Sequence, residues 1–469
     1  MILPEITRTI PVGSPDADLD FREVLRSLKN LDPGVYQKAA TAMKPEEWRA
    51  MLSVIKEQKP RLYRRMERLL KNAKKGKGNI ELIRQAAREL EDSYKCGEGV
   101  TETPRKRTVV IRLKHAEVIT GLPKEIMRQS IRLAKDYGGK RKWTMGFDNR
   151  AFTVNLDPAA IEAIRSDPAV ETVEDGGDAH IMMAPIPDYN PAAINTDWGT
   201  TRMPSAVAWG KGYYGQGIKL CVIDTGIGKN HPAFWKAGET IYKGGYNFVG
   251  DNDNPEDDQD HGTYCCSIAA AQHNGVPGSY RGIAPMVDLY ACKVLDSKGS
   301  GTLADVATGI DWARENGMDV ISMSLGATCG IAALQAACDA AWYAGCLIVT
   351  AAGNEGPNDN TVCWPARYLS CIAVAAVNFD EMVPSWSSRG PENELAAPGV
   401  AITGALMGFT YGKPNYYPSV PGSKLWFTAS GTSAATPTVA GAACLLKSWY
   451  PLATNMELRT LLREHLRDI

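Results

Sequence analysis

The sequence lacks a charge imbalance, a long apolar run and a recognisable leader. Its 52 basic and 53 acidic residues leave a formal net charge of −1, so no global field draws the 469-residue chain to nucleic acid or to a membrane. No apolar stretch reaches the roughly 20 residues of a membrane-spanning helix. Residues 1–34 lack the basic-then-apolar pattern of a secretory signal. These absences argue against a membrane protein and against nucleic-acid binding as the main function.

Paired cysteine motifs are also missing. The eleven cysteines are odd in number, none forms a Cys-X-X-Cys pair, and no Cys/His cluster suggests a zinc site. Cys221, Cys292, Cys346 and Cys371 each stand singly in an apolar run. We therefore expect small buried side chains in a reducing compartment rather than disulfides, and we predict a cytoplasmic location.

The length allows two to four domains, and the first is charge-rich. Residues 1–104 carry apolar residues at helical spacing, which predicts a small helical bundle. Basic residues between Lys59 and Lys77 could bind nucleic acid or an acidic protein partner. The scarcity of accompanying aromatic residues favours the alternative, a solvated helix face.

Residues 105–182 have a different character. Their pattern predicts strands over residues 108–113, 142–147, 151–156 and 170–174, with helices over 124–137 and 158–165. The resulting order, β-α-β-β-α-β, is the ferredoxin-like plan. The polar, proline-rich residues 183–196 are expected to form a linker.

The third region, residues 197–469, alternates short apolar runs with helical segments. The runs cover residues 219–223, 289–295, 320–325, 346–351 and 371–377. This alternation predicts an α/β domain with a parallel sheet and helices on both faces. Because functional groups gather beyond the carboxyl ends of such strands, the residues that follow the runs are the candidates for chemistry.

Four polar residues stand at such positions or at helix starts. Asp224 follows the first run in VIDTG, His261 opens an apolar helix in DHGT, Asn354 follows a later run in AAGNEG, and Ser433 begins a small-residue helix in GTSAATP. Asp224, Asn354 and Ser433 also have an ordinary structural explanation, as cap or turn residues, whereas the glycine next to His261 would let another group approach the histidine closely. Their chain order, Asp, His, Asn and then Ser, distinguishes one serine-hydrolase plan from the others.

Eight motifs in this region together resemble the subtilisin-like serine proteases, the subtilases. Residues 197–451 carry VIDTGI, DHGT, GIAP, SGT, SLG, AAGNEG, ELAAPG and GTSAATP in that order. The resemblance implies a serine endopeptidase in which Ser433 attacks the substrate carbonyl, His261 transfers the proton and Asp224 orients the imidazole. Asn354 and the Ser433 N–H would form the oxyanion hole, and the chemistry would need no cofactor.

The same resemblance implies a substrate cleft. Two segments would flank an extended substrate as neighbouring strands: Lys298, Gly299, Ser300 and Gly301, and Ser324, Leu325 and Gly326. The S1 pocket would be lined by Ala351, Ala352, Gly353 and Cys363. Cys363 stands where many relatives have glycine at the pocket floor, which disfavours the largest aromatic side chains.

Residues 105–182 are then expected to be an inhibitor I9-like prodomain that assists folding and occupies the cleft with its C-terminal tail. Cleavage is expected next to Met182, with Met182 before the bond and Met183 after it. The oxygen-rich loop of Asp251, Asp253, Asp257 and Asp258 could bind calcium as a structural ion, or could be a solvated acidic loop.

Several functions stay open beside an autoinhibited zymogen that hydrolyses polypeptides. The bundle over residues 1–104, which is outside the common subtilase plan, could bind a protein partner. It would then direct a dedicated maturation or defence protease to one substrate. Alternatively, the protease region could be an inactive scaffold of a binding protein.

Overall fold

The computed structural model describes residues 106–114, 123–146, 150–184, 199, 203, 205–272, 280–408, 417–418 and 425–464. The chain divides into two compact units, Met1–Thr101 and Glu102–Ile469. The predicted bundle over residues 1–104 lies outside the described residues, as does most of the predicted linker. The second unit carries all of the residues that are described.

The first part of this unit is a four-stranded antiparallel sheet with two helices. Its elements are β1 (Arg107–Leu113), α1 (Pro123–Asp136), β2 (Lys140–Thr144), β3 (Ala151–Leu156), α2 (Pro158–Arg165) and β4 (Val170–Asp175). The strand order is β2-β3-β1-β4. Val109, Ile111 and Leu113 alternate along β1 and face the core that the helices cover, whereas Val110 belongs to the core of the following part. The strand β1 is therefore buried on both sides of the sheet.

The second part is built on a seven-stranded parallel sheet. Its strands are β6 (Lys219–Asp224), β9 (Tyr242–Asn247), β10 (Asp288–Lys293), β12 (Val320–Met323), β14 (Leu347–Ala351), β15 (Cys371–Val377) and β16 (Asn393–Pro398). They lie in the order β16-β15-β14-β12-β6-β10-β9. Each neighbouring pair is parallel. The apolar runs predicted the five inner strands but missed β9 and β16, the two edge strands, which are only partly buried and carry glycine or polar residues.

Helices cover both faces of this sheet. They are α3 (Ser205–Gly210), α4 (His261–Ala270), α5 (Leu303–Glu315), α6 (Ala332–Tyr343), α7 (Thr432–Trp449) and α8 (Asn455–Glu464). In β6, Leu220 and Val222 join the core that contains α4 and α7. Cys221 and Ile223 join the core that contains α5 and α6. The predicted α/β architecture, a large parallel sheet with helices on both faces, is confirmed.

Smaller sheets complete the unit. β7 (Trp235–Lys236) pairs with β8 (Glu239–Thr240), and β17 (Ile402–Ala405), β19 (Trp426–Ala429) and β18 (Tyr417–Pro418) form a second antiparallel group. In a third group, β5 (Asp178–Ile181) lies between β11 (Ser300–Thr302) and β13 (Leu325–Gly326). Within the described part of the chain, no helix has the length and apolar character needed to cross a membrane.

Candidate active site

The four candidate residues meet at the carboxyl edge of the parallel sheet. Asp224 is the last residue of β6, His261 the first of α4 and Ser433 the second of α7, while Asn354 follows β14. Close backbone approach makes this possible, because a Cβ on Gly262 would lie 2.2 Å from the carbonyl oxygen of Gly226. The start of α4 therefore packs directly against the turn that follows β6.

Asp224 and His261 form a buried pair. His261 Nδ1 lies 2.7 Å from Asp224 Oδ1, and neither side chain is exposed. The same carboxylate oxygen accepts the N–H of Thr225 at 2.7 Å, which fixes its position. Burial has the largest single effect and opposes a charged imidazolium, but the Asp224 carboxylate and Cys265 together outweigh it and raise the pKa of His261 well above its usual value.

Ser433 contacts a peptide carbonyl of its own chain. The Ser433 hydroxyl donates to the carbonyl oxygen of Met182 and lies 3.1 Å from that of Ser324. The backbone N–H of Ser433 also points at the Met182 oxygen, at 3.3 Å. None of the hydrogen bonds between described residues joins the Ser433 hydroxyl to the imidazole of His261. Cys265 lies between the two residues, with its Sγ 4.0 Å from His261 Nε2 and 3.6 Å from the backbone carbonyl oxygen of Ser433.

Asn354 presents an oriented amide. Its Oδ1 accepts the backbone N–H and the hydroxyl of Thr432, each at 3.0 Å. This fixes which end of the carboxamide faces α7. The Nδ2 group is buried and has no hydrogen-bond partner among the residues described. A buried donor without a partner, next to Ser433, is available to a developing oxyanion.

The strand β5 runs through a cleft that leads to Ser433. It pairs antiparallel with β11 on one side and with β13 on the other. Ile181 N–H donates to the carbonyl of Gly299 at 3.1 Å, and Met182 N–H to that of Ser324 at 3.3 Å. On the other side of the Met182–Met183 bond, the Ala184 N–H donates to the carbonyl oxygen of Ser430 at 2.9 Å. The two segments predicted to flank a substrate therefore flank residues 178–182, and the bond at Ser433 is Met182–Met183.

Comparison with known proteins identifies the family of this chain. The model of the subtilase family matches residues 215–468. Subtilisin E of Bacillus subtilis is 36% identical over 364 residues, which cover 77% of this chain and 85% of that protein. The subtilisin of Bacillus pumilus is 41% identical over 270 residues, 57% of this chain and 90% of that protein. The chain belongs to the subtilase family.

A further relative shows how far the similarity extends. The thermostable alkaline protease of Halalkalibacterium halodurans is 38% identical over 304 residues, 65% of this chain and 74% of that protein. The family match ends at residue 468, which leaves only one residue at the C-terminal end of the chain. The alignments with the alkaline protease and with subtilisin E are longer than the family match, so they must begin before residue 215. Similarity to subtilases therefore continues on the N-terminal side of residue 215.

Among the predicted S1 residues of this subtilase, Cys363 lies near the Met182 side chain, and the other three, Ala351, Ala352 and Gly353, lie beside Cys363. A Cβ on Gly326 would come within 2.4 Å of Met182 Cε and 2.3 Å of Cys363 Sγ. A Cβ on Gly353 would lie 3.3 Å from the same sulfur atom. Cys363 Sγ lies 3.3 Å from the carbonyl of Ala351, and Ala352 is buried beside them. Lys298, which was predicted to flank the substrate, lies in the turn before β11, where its backbone N–H donates to Asp296 Oδ1.

The acidic loop does not gather its carboxylates. Asp251 pairs with Lys140 at 2.6 Å and Asp258 with Lys293 at 2.6 Å, while Asp253 is exposed. In the described ranges, the one group of three or more His, Cys, Asp or Glu side chains close enough to share an ion is Asp224, His261 and Cys265. The four loop aspartates therefore do not fit a single calcium site.

Asp257 has a structural task that the sequence did not reveal. It is buried, and its oxygens accept hydrogen bonds from Thr225 Oγ1 at 2.9 Å and from the N–H and hydroxyl of Thr263 at 2.9 and 2.5 Å. Thr225 follows Asp224, and Thr263 lies two residues after His261. Asp257 thus links the two segments that carry the buried pair. Its only signal in the sequence was its position just before His261.

The cysteines are mostly as predicted. Nine of those described are free and buried. Cys221, Cys292, Cys346 and Cys371, which stand in apolar runs of the sequence, are among them.

Proposed function

We propose that the chain is a serine endopeptidase, made as an autoinhibited zymogen, that hydrolyses peptide bonds through an acyl-enzyme. Membership of the subtilase family supports a serine peptidase. The observation that carries the zymogen is the Met182 carbonyl, whose oxygen faces both the hydroxyl and the N–H of Ser433. Backbone hydrogen bonds hold the residues on both sides of the Met182–Met183 bond, which favours an endopeptidase over an exopeptidase.

In the proposed reaction, the Ser433 hydroxyl turns from its carbonyl acceptors to the imidazole of His261 and attacks the Met182 carbonyl carbon as His261 takes its proton. His261 then gives this proton to the leaving Met183 amine as the Met182–Met183 bond breaks, and water hydrolyses the acyl-enzyme ester to regenerate Ser433. Asp224 accepts the Nδ1–H bond, which selects the tautomer with a free Nε2 and stabilises the imidazolium that forms. The raised pKa of His261 means that the base is neutral only above an elevated pH, so the rate should increase with pH.

The oxyanion would be held by two donors. The Ser433 N–H already points at the Met182 oxygen, and Asn354 Nδ2 supplies the second donor from its position beside α7. Because Thr432 holds the other end of the carboxamide, the donor is oriented before the reaction begins. Such preorganisation is what makes a buried donor effective in the transition state.

Residues 105–182 would act as the inhibitory, I9-like prodomain. Outside the cleft, the Glu174 carboxylate accepts the N–H groups of Ala332 and Ala333 at 2.6 and 3.0 Å and so caps α6. The carbonyls of Gly176 and Gly177 accept two N–H groups at the start of α5. Lys142 pairs with the buried Asp305 at 2.6 Å. These contacts satisfy helix ends that would otherwise need water, which supports tight binding of the segment.

Mass spectrometry of the purified full-length chain tests the proposal. The expected result is a new N-terminus at Met183 in the unmodified protein and an intact chain in the Ser433→Ala variant. A fluorophosphonate probe should label the processed protein at Ser433 but not the variant. An intact, unlabelled wild-type chain would favour an inactive scaffold and refute the proposal.

Other assignments stay predictions. A cytoplasmic location is supported by the nine free, buried cysteines. A protein partner for residues 1–104, and the targeting of one substrate through it, also stay predictions.

A further inference from the structure

The residue directly before His261 has an unusual backbone. Asp260 is fully buried and has φ of 94°, in the left-handed region that side-chain-bearing residues seldom adopt. Glycine would take this conformation without strain. An aspartate in such a position persists only if its surroundings hold it there, and strained residues of this kind concentrate at functional sites.

Three sets of hydrogen bonds hold Asp260. Its N–H donates to Asp257 Oδ1 at 3.1 Å, and its carbonyl accepts the first helical bond of α4, from Tyr264 N–H at 2.9 Å. Its carboxylate Oδ1 accepts the N–H groups of Met407 and Gly408 at 2.8 and 3.0 Å. The hydrogen bonds with Asp257 and Tyr264 use backbone atoms of residue 260, which any residue would supply. The bonds from Met407 and Gly408 need an acceptor in the side chain.

The carboxylate therefore connects two elements. Met407 and Gly408 follow the end of β17, and His261 begins α4, with its own N–H held by Gln259 Oε1 at 2.9 Å. Since α4 starts at His261, the backbone angles of Asp260 set the direction from which the imidazole enters the site. A change of these angles moves the ring relative to Ser433.

We propose that Asp260 is a positioning residue for His261: its carboxylate, anchored on the N–H groups of Met407 and Gly408, fixes the left-handed turn from which the helix of His261 begins. The inference rests on the proposed function. It explains why an acceptor-bearing residue occupies a position whose backbone alone would suit glycine.

Three substitutions in the full-length chain separate the parts of this role. Asp260→Asn keeps an oxygen that can accept both N–H bonds, Asp260→Gly relaxes the backbone but removes the acceptor, and Asp260→Ala keeps the strain and removes the acceptor. The readout is the first-order rate at which the Met183 N-terminus appears, which contains no substrate-binding step. The unfolding temperature of each variant, measured with Ser433→Ala to prevent cleavage, reports stability separately.

We expect Asp260→Asn to cleave within about threefold of the wild-type rate, and both Asp260→Gly and Asp260→Ala to be slower by at least about tenfold, because small displacements of a catalytic group are costly. The cleavage rate of Asp260→Gly should fall by more than the loss of stability, measured as the change in unfolding temperature, can account for. Wild-type rates in Asp260→Gly, or no rescue in Asp260→Asn, would overturn the positioning role alone. Absence of cleavage in the wild-type chain would instead refute the proposed function and, with it, this inference.

Discussion

His231 is a buried neutral imidazole whose effect on stability can be calculated. It is 3% exposed, its Nδ1 accepts the N–H of Ala233 at 3.0 Å, and its Nε2 donates to the carbonyl of Leu425 at 3.0 Å. The edge of the ring meets Trp426 at a centroid distance of 5.3 Å. Burial lowers the pKa of His231 to about 4, and the Leu425 carbonyl opposes this only in part.

The sign of the effect follows from linkage. An unfolded histidine has a pKa of about 6.5, so the unfolded chain binds a proton at a pH where folded His231 does not. The stabilising contribution is therefore complete above about pH 6.5 and is lost as the pH falls towards the folded pKa. With about 1.4 kcal/mol per pH unit between the two values, the loss between about pH 7 and pH 5 is about 2 kcal/mol.

Urea unfolding followed by tryptophan fluorescence measures this loss in the Ser433→Ala chain, which cannot digest itself. The matched control is the same chain with His231→Asn, whose side-chain oxygen can accept the Ala233 N–H but does not titrate. Other titrating groups affect both proteins equally, so the difference between their pH dependences isolates His231. Equal losses of unfolding free energy in the two proteins would show that His231 is not held neutral by its surroundings.

Three further predictions concern the reaction and its inhibitor. Asn354→Leu should slow self-cleavage by about a hundredfold, because one oxyanion donor contributes about 3 kcal/mol. It should also lower the unfolding temperature, since the buried N–H and hydroxyl of Thr432 lose their acceptor, and a normal rate of appearance of Met183 would contradict the prediction. Glu174→Ala should speed release of the cleaved prodomain by about tenfold, since α6 loses a charged cap; the onset of peptidase activity after cleavage measures this, with Glu171→Ala on the same strand as control. Cys363→Gly should raise kcat/KM for peptides with Phe before the cleaved bond relative to Met by several-fold, and an unchanged ratio would exclude Cys363 from the pocket.

Much of the central fold could be predicted from local patterns. The strand Ala151–Leu156 and the helix Pro158–Arg165 have the predicted bounds, because apolar periodicity and helix start signals are properties of neighbouring residues. The edge strands Tyr242–Asn247 and Asn393–Pro398 were missed, since a strand that is paired on one side and partly exposed carries little apolar signal.

The sequence by itself supplied the candidate site: the residue types of Asp224, His261, Asn354 and Ser433, and their order, predict a serine peptidase. Only the tertiary structure decided which groups they meet. The short polar strand Asp178–Ile181 becomes a strand because distant segments supply its hydrogen bonds, and Asp257 becomes a link between two threonines rather than a calcium ligand. Covalent order fixes local periodicity, whereas the partner of a buried carboxylate or an unpaired N–H is set by segments that meet only when the chain has folded.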